Sequence, residues 1–341
     1  MPLPSPIDIV YLWVDGGDVI WRKKRQSAAR RASTADHNAM AVYGNVEGRF
    51  RDNDELRYSL RALERYFPDH GHVYVVTDGQ TPSWIAPSSR LTVIDHRDLI
   101  PADRLPIFDS GNIESYIHRI PGLSERFFYF NDDVFFGAPV RVDDWFWEGG
   151  VYAAWSDDPE VPGLAMQPDA TSLENGCRLS RQWLDHRATQ TIASYQHTPR
   201  TFAHSPRPLL KSLLVQLEHE AADLFERVRS TVFRNWTAPT IVSDFVLRWA
   251  LAHGLAKIRD YSHLYVMTGD ANQAEQLQAL LASNGALDFF CVNDTTDDAH
   301  ASDARLVNAK TTLQIMFPEP SPMERGAVDH TLVDSPMLQR V

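Results

Sequence analysis

Four short apolar runs, each stopped by an acidic or amide turn, constrain what this chain can fold into more than any other feature. They are Ile7-Asp8-Ile9-Val10-Tyr11-Leu12-Trp13-Val14 before Asp15-Gly16-Gly17-Asp18, Val73-Tyr74-Val75-Val76-Thr77 before Asp78-Gly79, Phe127-Phe128-Tyr129-Phe130 before Asn131-Asp132-Asp133, and Phe289-Phe290-Cys291-Val292 before Asn293-Asp294. They are rich in β-branched and aromatic residues and scarcely alternate with polar ones, so they read as strands buried in a sheet. Leu91–Asp95 is a further strand. A helix is expected to begin near Asp52-Asn53, with Leu56, Leu60, Leu63 and Phe67 on its apolar face and Pro68 at its end. A short helix around Asn112 to Arg119 precedes the Phe127 strand. Strand, helix and strand in alternation imply an α/β sheet with substantial parallel character.

Three parts are expected: an α/β core over 1–150, an insertion and helical region over 151–235, and C-terminal helices and a strand over 236–341. The stretch from about 150 to 207 is Pro-rich and weakly patterned, which reads as an insertion or lid. A long amphipathic helix should follow, with Leu210, Leu213, Leu214, Leu217, Ala221, Leu224 and Val228 on one face. Further helices are expected over about 241–253 and 274–281, the latter as the last. The net charge of −12 argues against nonspecific nucleic-acid binding. Cys177 and Cys291 are the only cysteines, too few for a disulfide framework or a Cys-based zinc site. No run has the length of a membrane span and the start lacks signal-peptide patterning, so a cytoplasmic protein is expected.

In open α/β sheets ligands bind outside the carboxyl ends of the strands. One acidic turn there is ordinary turn chemistry. Four would form a binding edge if they converge. Asn131-Asp132-Asp133 stands out, because adjacent carboxylates at the mouth of an apolar strand repel each other and are costly to desolvate. Mg²⁺ or Mn²⁺ would relieve both costs; two solvated carboxylates in a turn are the plainer alternative. In Arg49-Phe50-Arg51-Asp52-Asn53-Asp54-Glu55-Leu56-Arg57 the acids suit a helix start, whereas Arg49, Arg51 and Arg57 could hold a diphosphate. Trp21-Arg22-Lys23-Lys24-Arg25 reads as a solvated helix face. His118-Arg119 ends a helix, His204 lies in a loop, and Arg234 is either a phosphate contact or surface. Carboxylates, arginines and a histidine fit chemistry on a phosphate ester or nucleotide sugar. No Walker-type loop, G-x-S-x-G or H-E-x-x-H occurs.

The run from Ile7 to Asp18 resembles the first conserved block of the Stealth family of sugar-phosphate transferases. Arg49 to Arg61, then Val75-Val76-Thr77-Asp78-Gly79-Gln80, Leu105-Pro106-Ile107-Phe108, Asn112-Ile113-Glu114, His118 to Glu125 and Tyr129 to Gly137, are similar to its second block. His204 to Arg234 is similar to the third, and Phe289 to Thr295 with Phe317 to Glu324 to the fourth. The resemblance implies a Rossmann-like, GT-A-like nucleotide-sugar-binding sheet with a helical insertion. It implies transfer of a hexose 1-phosphate, typically N-acetylglucosamine 1-phosphate from its UDP-sugar, to a sugar hydroxyl in capsular or exopolysaccharide, with release of UMP.

In that scheme Asp132 or Asp133 holds Mg²⁺ or Mn²⁺, and Asn293 and Asp294 supply another side of the metal or sugar site. Arg119 and Arg234 stabilise the transferring phosphoryl group, and His204 accepts the acceptor's proton. Asp15, Gly16 and Asp18 line the nucleotide pocket near Asp78. Arg51, Asn53, Arg57, Asn112 and His118 complete the substrate-binding candidates. The alternative is a metal-dependent glycosyltransferase releasing UDP. A lipid-linked acceptor would bring the chain to a membrane's inner face, where the helix around Trp21 to Arg31 could touch anionic lipid.

Overall fold

In the computed structural model, which describes residues 6–188 and 195–326, the apolar runs become the middles of sheets. In chain order the strands are β1 (Asp8–Leu12), β2 (Val73–Thr77), β3 (Leu91–Asp95), β4 (Arg126–Asn131), β5 (Val134–Phe136) and β6 (Phe146–Trp147). Then come β7 (Gly150–Ala153), β8 (Arg207–Leu210), β9 (Ala256–Ile258), β10 (His263–Met267) and β11 (Phe289–Asn293). The main sheet has the order β3-β2-β1-β4-β8. Its first four strands are parallel and β8 runs antiparallel to β4. β1 and β2 are buried along their whole length, which is why their sequences do not alternate. The parallel order β3-β2-β1-β4 is that of a Rossmann-type half, so the fold is of the expected α/β class.

After β4 the chain turns through Asp132-Asp133 and leaves the main sheet. β5 pairs antiparallel with β11 in a second sheet, β10-β11-β5, and a third joins β6, β7 and β9. One aromatic core runs through the junction. Phe135 stacks on Phe290 at 4.7 Å, and Phe128 meets Phe136 and Trp145 edge-on at 5.3 and 5.4 Å. Such packing makes the turn between β4 and β5 a rigid place to carry chemistry.

Several boundaries differ from the expected ones, each for an identifiable reason. The helix expected from Asp52-Asn53 spans Glu55–Tyr66; its N-cap is Asp54, in the left-handed region at φ 69°, and makes no side-chain cap bond. Asp52 instead accepts from the Asp54 N–H at 3.0 Å, in the turn before the helix. The expected insertion contains a 17-residue helix, Ser172–Ala188, and returns as β8 to the main sheet. Its hydropathy hides the helix because it buries polar residues satisfied by bonds from elsewhere: Asn175 to Gln167, Arg178 to Pro162 and Ser180 to Asp244. The long helix breaks at Ala221 into Lys211–Glu220 and Ala222–Arg229, with Leu210 in β8; its other expected apolar positions are buried. A helix at Ala304–Met316 follows the one expected to be last.

The basic helix Val19–Arg31 is not a uniformly solvated face. Trp21 is 3% exposed and packs on Phe50 and Phe108, and Arg25 is 6% exposed and bonds Asn45 and Glu47. Trp21, at the start of the helix expected to touch anionic lipid, is therefore spent on the core. Among the described residues no helix is long and apolar enough to cross a membrane.

Candidate functional site

Parallel pairing puts the ends of β1, β2 and β4 side by side, with Leu12 level with both Val76 and Asn131. The Val292 N–H donates to the Asp133 carbonyl at 3.0 Å, which brings the end of β11 to the same edge. Asp78, Asn131-Asp132-Asp133 and Asn293-Asp294 consequently line one cavity, together with Arg49, Arg51, Glu55, His204 and Arg234. Three of the four acidic turns converge there. The fourth lies in a neighbouring surface cleft, where Asp15 and Gly16 face Asp52 and Asp297. Asp18 caps the basic helix, accepting from the Trp21 N–H at 2.7 Å.

Gly16 is needed for close approach. Its N–H donates to the Phe50 carbonyl at 2.6 Å, and a Cβ there would lie 2.3 Å from that same oxygen. Gly16→Ala is expected to destabilise the fold by about 1–3 kcal/mol, the usual range for forced overpacking, read as a lower urea midpoint. An unchanged midpoint would show that the loop simply moves.

Asp133 is the centre of the arrangement. Its Oδ2 accepts from Asn293 Nδ2 at 2.9 Å and from the Cys291 thiol at 3.4 Å, and its Oδ1 lies 3.2 Å from His204 Nε2. Asn131 Nδ2 also meets His204 Nε2 at 3.2 Å. The Tyr129 hydroxyl, 2.6 Å from Asn131 Oδ1, occupies the amide's carbonyl and turns its NH₂ toward the imidazole. Nε2 therefore lies between a donor, the Asn131 NH₂, and an acceptor, Asp133 Oδ1, so it can accept from the one when neutral and donate to the other once protonated.

Negative charge exceeds its partners here. Burial, then Asp133, Glu55 and Asp52, push the Asp132 carboxyl well above its usual range. Burial and then Asp52 push Glu55 up to about 8, and burial, with Asp54 and Asp15 adding to it, raises Asp52 to about 6. A cation among these oxygens would remove the penalty, and carboxylate donors suit Mg²⁺ or Mn²⁺. Asp133, His204 and Cys291 also lie within 4.8 Å of one another through their ligand atoms. Burial and Asp133 hold the Cys291 thiol well above its usual range, and it donates to Asp133 Oδ2.

The other candidates go elsewhere. Asp294 is committed: Oδ1 accepts from Thr268 and from Thr296 N–H and hydroxyl, and Oδ2 from Arg51 and Asn53. It holds Arg51 in place and has no lone pair to spare for a metal. Asn293 likewise orients Asp133. Arg119 and His118 both bind Glu218 at 2.5 Å and do not line the cavity. Burial would raise Glu218, but His118 and Arg229 pull it far below its usual range, so the cluster satisfies itself. Arg57 pairs with Glu324 at 2.6 Å, and Asn112, wholly buried, donates to the Thr231 carbonyl at 2.7 Å. Asp78 lines the cavity but is paired with Lys24 at 2.7 Å.

Arg49 takes the place expected for Arg119. Its guanidinium donates to the Tyr43 and Gly44 carbonyls and lies over the Phe50 ring, and burial, then Arg234, lower it to about 9. Arg234 donates to Ser110 Oγ at 2.6 Å. Two arginines at one cavity, neither in a close carboxylate pair, favour an anion.

Residues 5–32 match Stealth protein CR1, conserved region 1, and residues 49–153 match Stealth protein CR2, conserved region 2. An exopolysaccharide phosphotransferase of Streptomyces coelicolor is 36% identical over 323 residues, covering 94% of this chain and 52% of that protein. The chain carries the first two conserved regions of Stealth proteins. The exopolysaccharide phosphotransferase CpsY of Mycobacterium leprae is 32% identical over 330 residues, covering 96% of this chain and 58% of that one. This chain thus spans just over half the length of these relatives. Mouse xyloside xylosyltransferase 1 aligns with 84% of this chain and 98% of its own at 13% identity and a TM-score of 0.37. Within the Stealth regions lie β1 to β4 and the Asn131-Asp132-Asp133 turn; His204, Arg234 and Asn293 lie outside them.

Proposed function

We propose that this chain transfers a hexose 1-phosphate, with N-acetylglucosamine 1-phosphate the first candidate, from a UDP-sugar to a sugar hydroxyl. The product is a phosphodiester of the kind found in exopolysaccharide, and UMP leaves. The carrying observation is the meeting, in one cavity, of a carboxylate cluster short of cations, two arginines and a histidine whose Nε2 faces Asp133 and Asn131. The conserved regions and the names of the relatives support the same reading.

Asp132 and Asp133 would hold Mg²⁺ or Mn²⁺, which when bound neutralises the diphosphate and the leaving UMP. The acceptor oxygen attacks the phosphorus that bears the sugar. The new O–P bond forms as the bond to the UMP oxygen breaks, and the acceptor's proton passes to His204 Nε2. Arg49 and Arg234 meet the charge spread over the equatorial oxygens. Asp133 and Asn131 keep the imidazole in register. Nothing in this scheme touches the anomeric C–O bond.

The leaving nucleotide tests it. With UDP-N-acetylglucosamine, Mg²⁺ and acceptor glycans, the expected products are UMP and a diester resonance in the phosphorus NMR spectrum. Release of UDP with a phosphorus-free sugar product would make the chain a glycosyltransferase and overturn the proposal.

A further inference from the structure

A second cavity adjoins the first. The two share Ser110, Asn131, His204 and Arg234, which therefore form the wall between them. We propose that this second cavity is the acceptor subsite and takes a neutral sugar through its hydroxyls, an inference that rests on the function proposed above.

Its lining is unlike that of the first. Ser172 and Ser243 supply hydroxyls, Asp109 and Glu114 supply carboxyl groups, and Leu173 and Pro239 supply apolar surface. Hydroxyls and carboxyls beside an apolar face match the alternating O–H and C–H surface of a pyranose. Asp109 and Glu114 line this side of Arg234, which suits a neutral ligand better than an anion here.

One buried polar atom is left waiting: Ser172 Oγ finds no hydrogen-bond partner in the protein, and Ser172 is 8% exposed. A buried hydroxyl without a partner is costly, so its retention next to a cavity points to a ligand that completes it. Thr240 Oγ1 faces the helix instead: a Cβ on Gly176, in Ser172–Ala188, would lie 2.1 Å from it, so only glycine lets the helix come this close and form this wall of the cavity.

His204 lines both cavities, so a hydroxyl bound in the second lies beside the imidazole that faces Asp133 in the first. A base shared by the two cavities is what joins an acceptor hydroxyl to a donor phosphorus.

Saturation-transfer NMR tests this without turnover, using the methyl α-glycosides of glucose, mannose, galactose and N-acetylglucosamine as probes on the intact chain. At least one is expected to bind. Ser172→Ala should weaken it roughly tenfold, the size of a lost hydrogen bond. Ser243→Leu, which fills the cavity, should abolish binding. UMP titrated onto the same variants should keep its affinity. Absence of binding by all four glycosides, or binding indifferent to the substitutions, overturns the subsite. Release of UDP in place of UMP overturns only the phosphotransfer reading and leaves the subsite standing.

Discussion

Asp133→Asn should lower transfer by about 10²–10³-fold while leaving the fold intact. The substitution keeps the shape of the side chain and removes its charge. Asp133 accepts from Asn293 and Cys291 and faces His204. Whichever way an amide is placed, its NH₂ meets either the Asn293 amide and the Cys291 thiol, both donors, or the imidazole lone pair that should receive the proton. One substitution thus removes a carboxylate oxygen proposed to hold Mg²⁺ or Mn²⁺ and disturbs the orientation of the base. Orienting partners of this kind usually matter nearly as much as ligands. UMP release gives the rate, Mn²⁺ titration gives the metal affinity, and both should fall together. A variant retaining more than about a tenth of its rate would show that another carboxylate carries the role. His204→Ala combined with Asp133→Asn should cost little more than the worse single change, because the two act as a unit.

Arg248→Met should destabilise the chain by about 3–5 kcal/mol, the range for breaking a buried ion pair from one side. Arg248 is wholly buried, and its Nε donates to both Asp244 oxygens at 2.8 and 2.9 Å. Its remaining nitrogens donate to the carbonyls of Thr198 and Arg200, and its guanidinium lies over Trp155 and Phe202. Methionine fills the space but leaves Asp244 with Ser180 as its remaining side-chain partner. Burial already raises the Asp244 carboxyl, and Arg248 is a main opposing influence. In the variant its pKa rises further. A folded-state pKa above the unfolded value means that the folded state binds the proton more tightly, so the deficit should shrink as pH falls through that raised value. Urea denaturation at two pH values reads both effects. Removing both charges, as in Arg248→Met with Asp244→Leu, should recover much of the loss. A single-variant loss below about 1 kcal/mol would mean that water reaches the pair. The pair also reaches the site, since Arg248 ties down residues 198–200, just before Phe202 and His204.

Much of the architecture was legible because it is local. Continuous apolar runs announced β1, β2, β4 and β11, and the spacing of Leu56, Leu60 and Leu63 announced the helix that covers them. The carboxyl-end rule then placed Asp132, Asp133 and Asp78 at one edge. Two kinds of feature escaped. The helix Ser172–Ala188 has buried polar positions whose partners lie outside it, so no apolar period marks it. Glu55 and Asp52 looked like helix-start residues; nothing local signals that their carboxyls crowd Asp132. Arg119 and Arg57 were read as phosphate contacts because charge is visible in a sequence while its neutralisation by Glu218 and Glu324 is not.

The order of residues along the chain determined which segments are buried strands and which turns carry acid, because hydrophobic periodicity and turn chemistry act over a few neighbouring positions. It did not determine which acids are free. Asp294 and Arg51 are 243 residues apart, and Asp133 and His204 are 71 apart. The packing of β5 against β11, and of residues 201–204 beside the carboxyl ends, decided that Asp294 is spent on an arginine while Asp133 faces a histidine. Coulombic and hydrogen-bond energies fall off within a few ångströms, so only the tertiary structure can assign them.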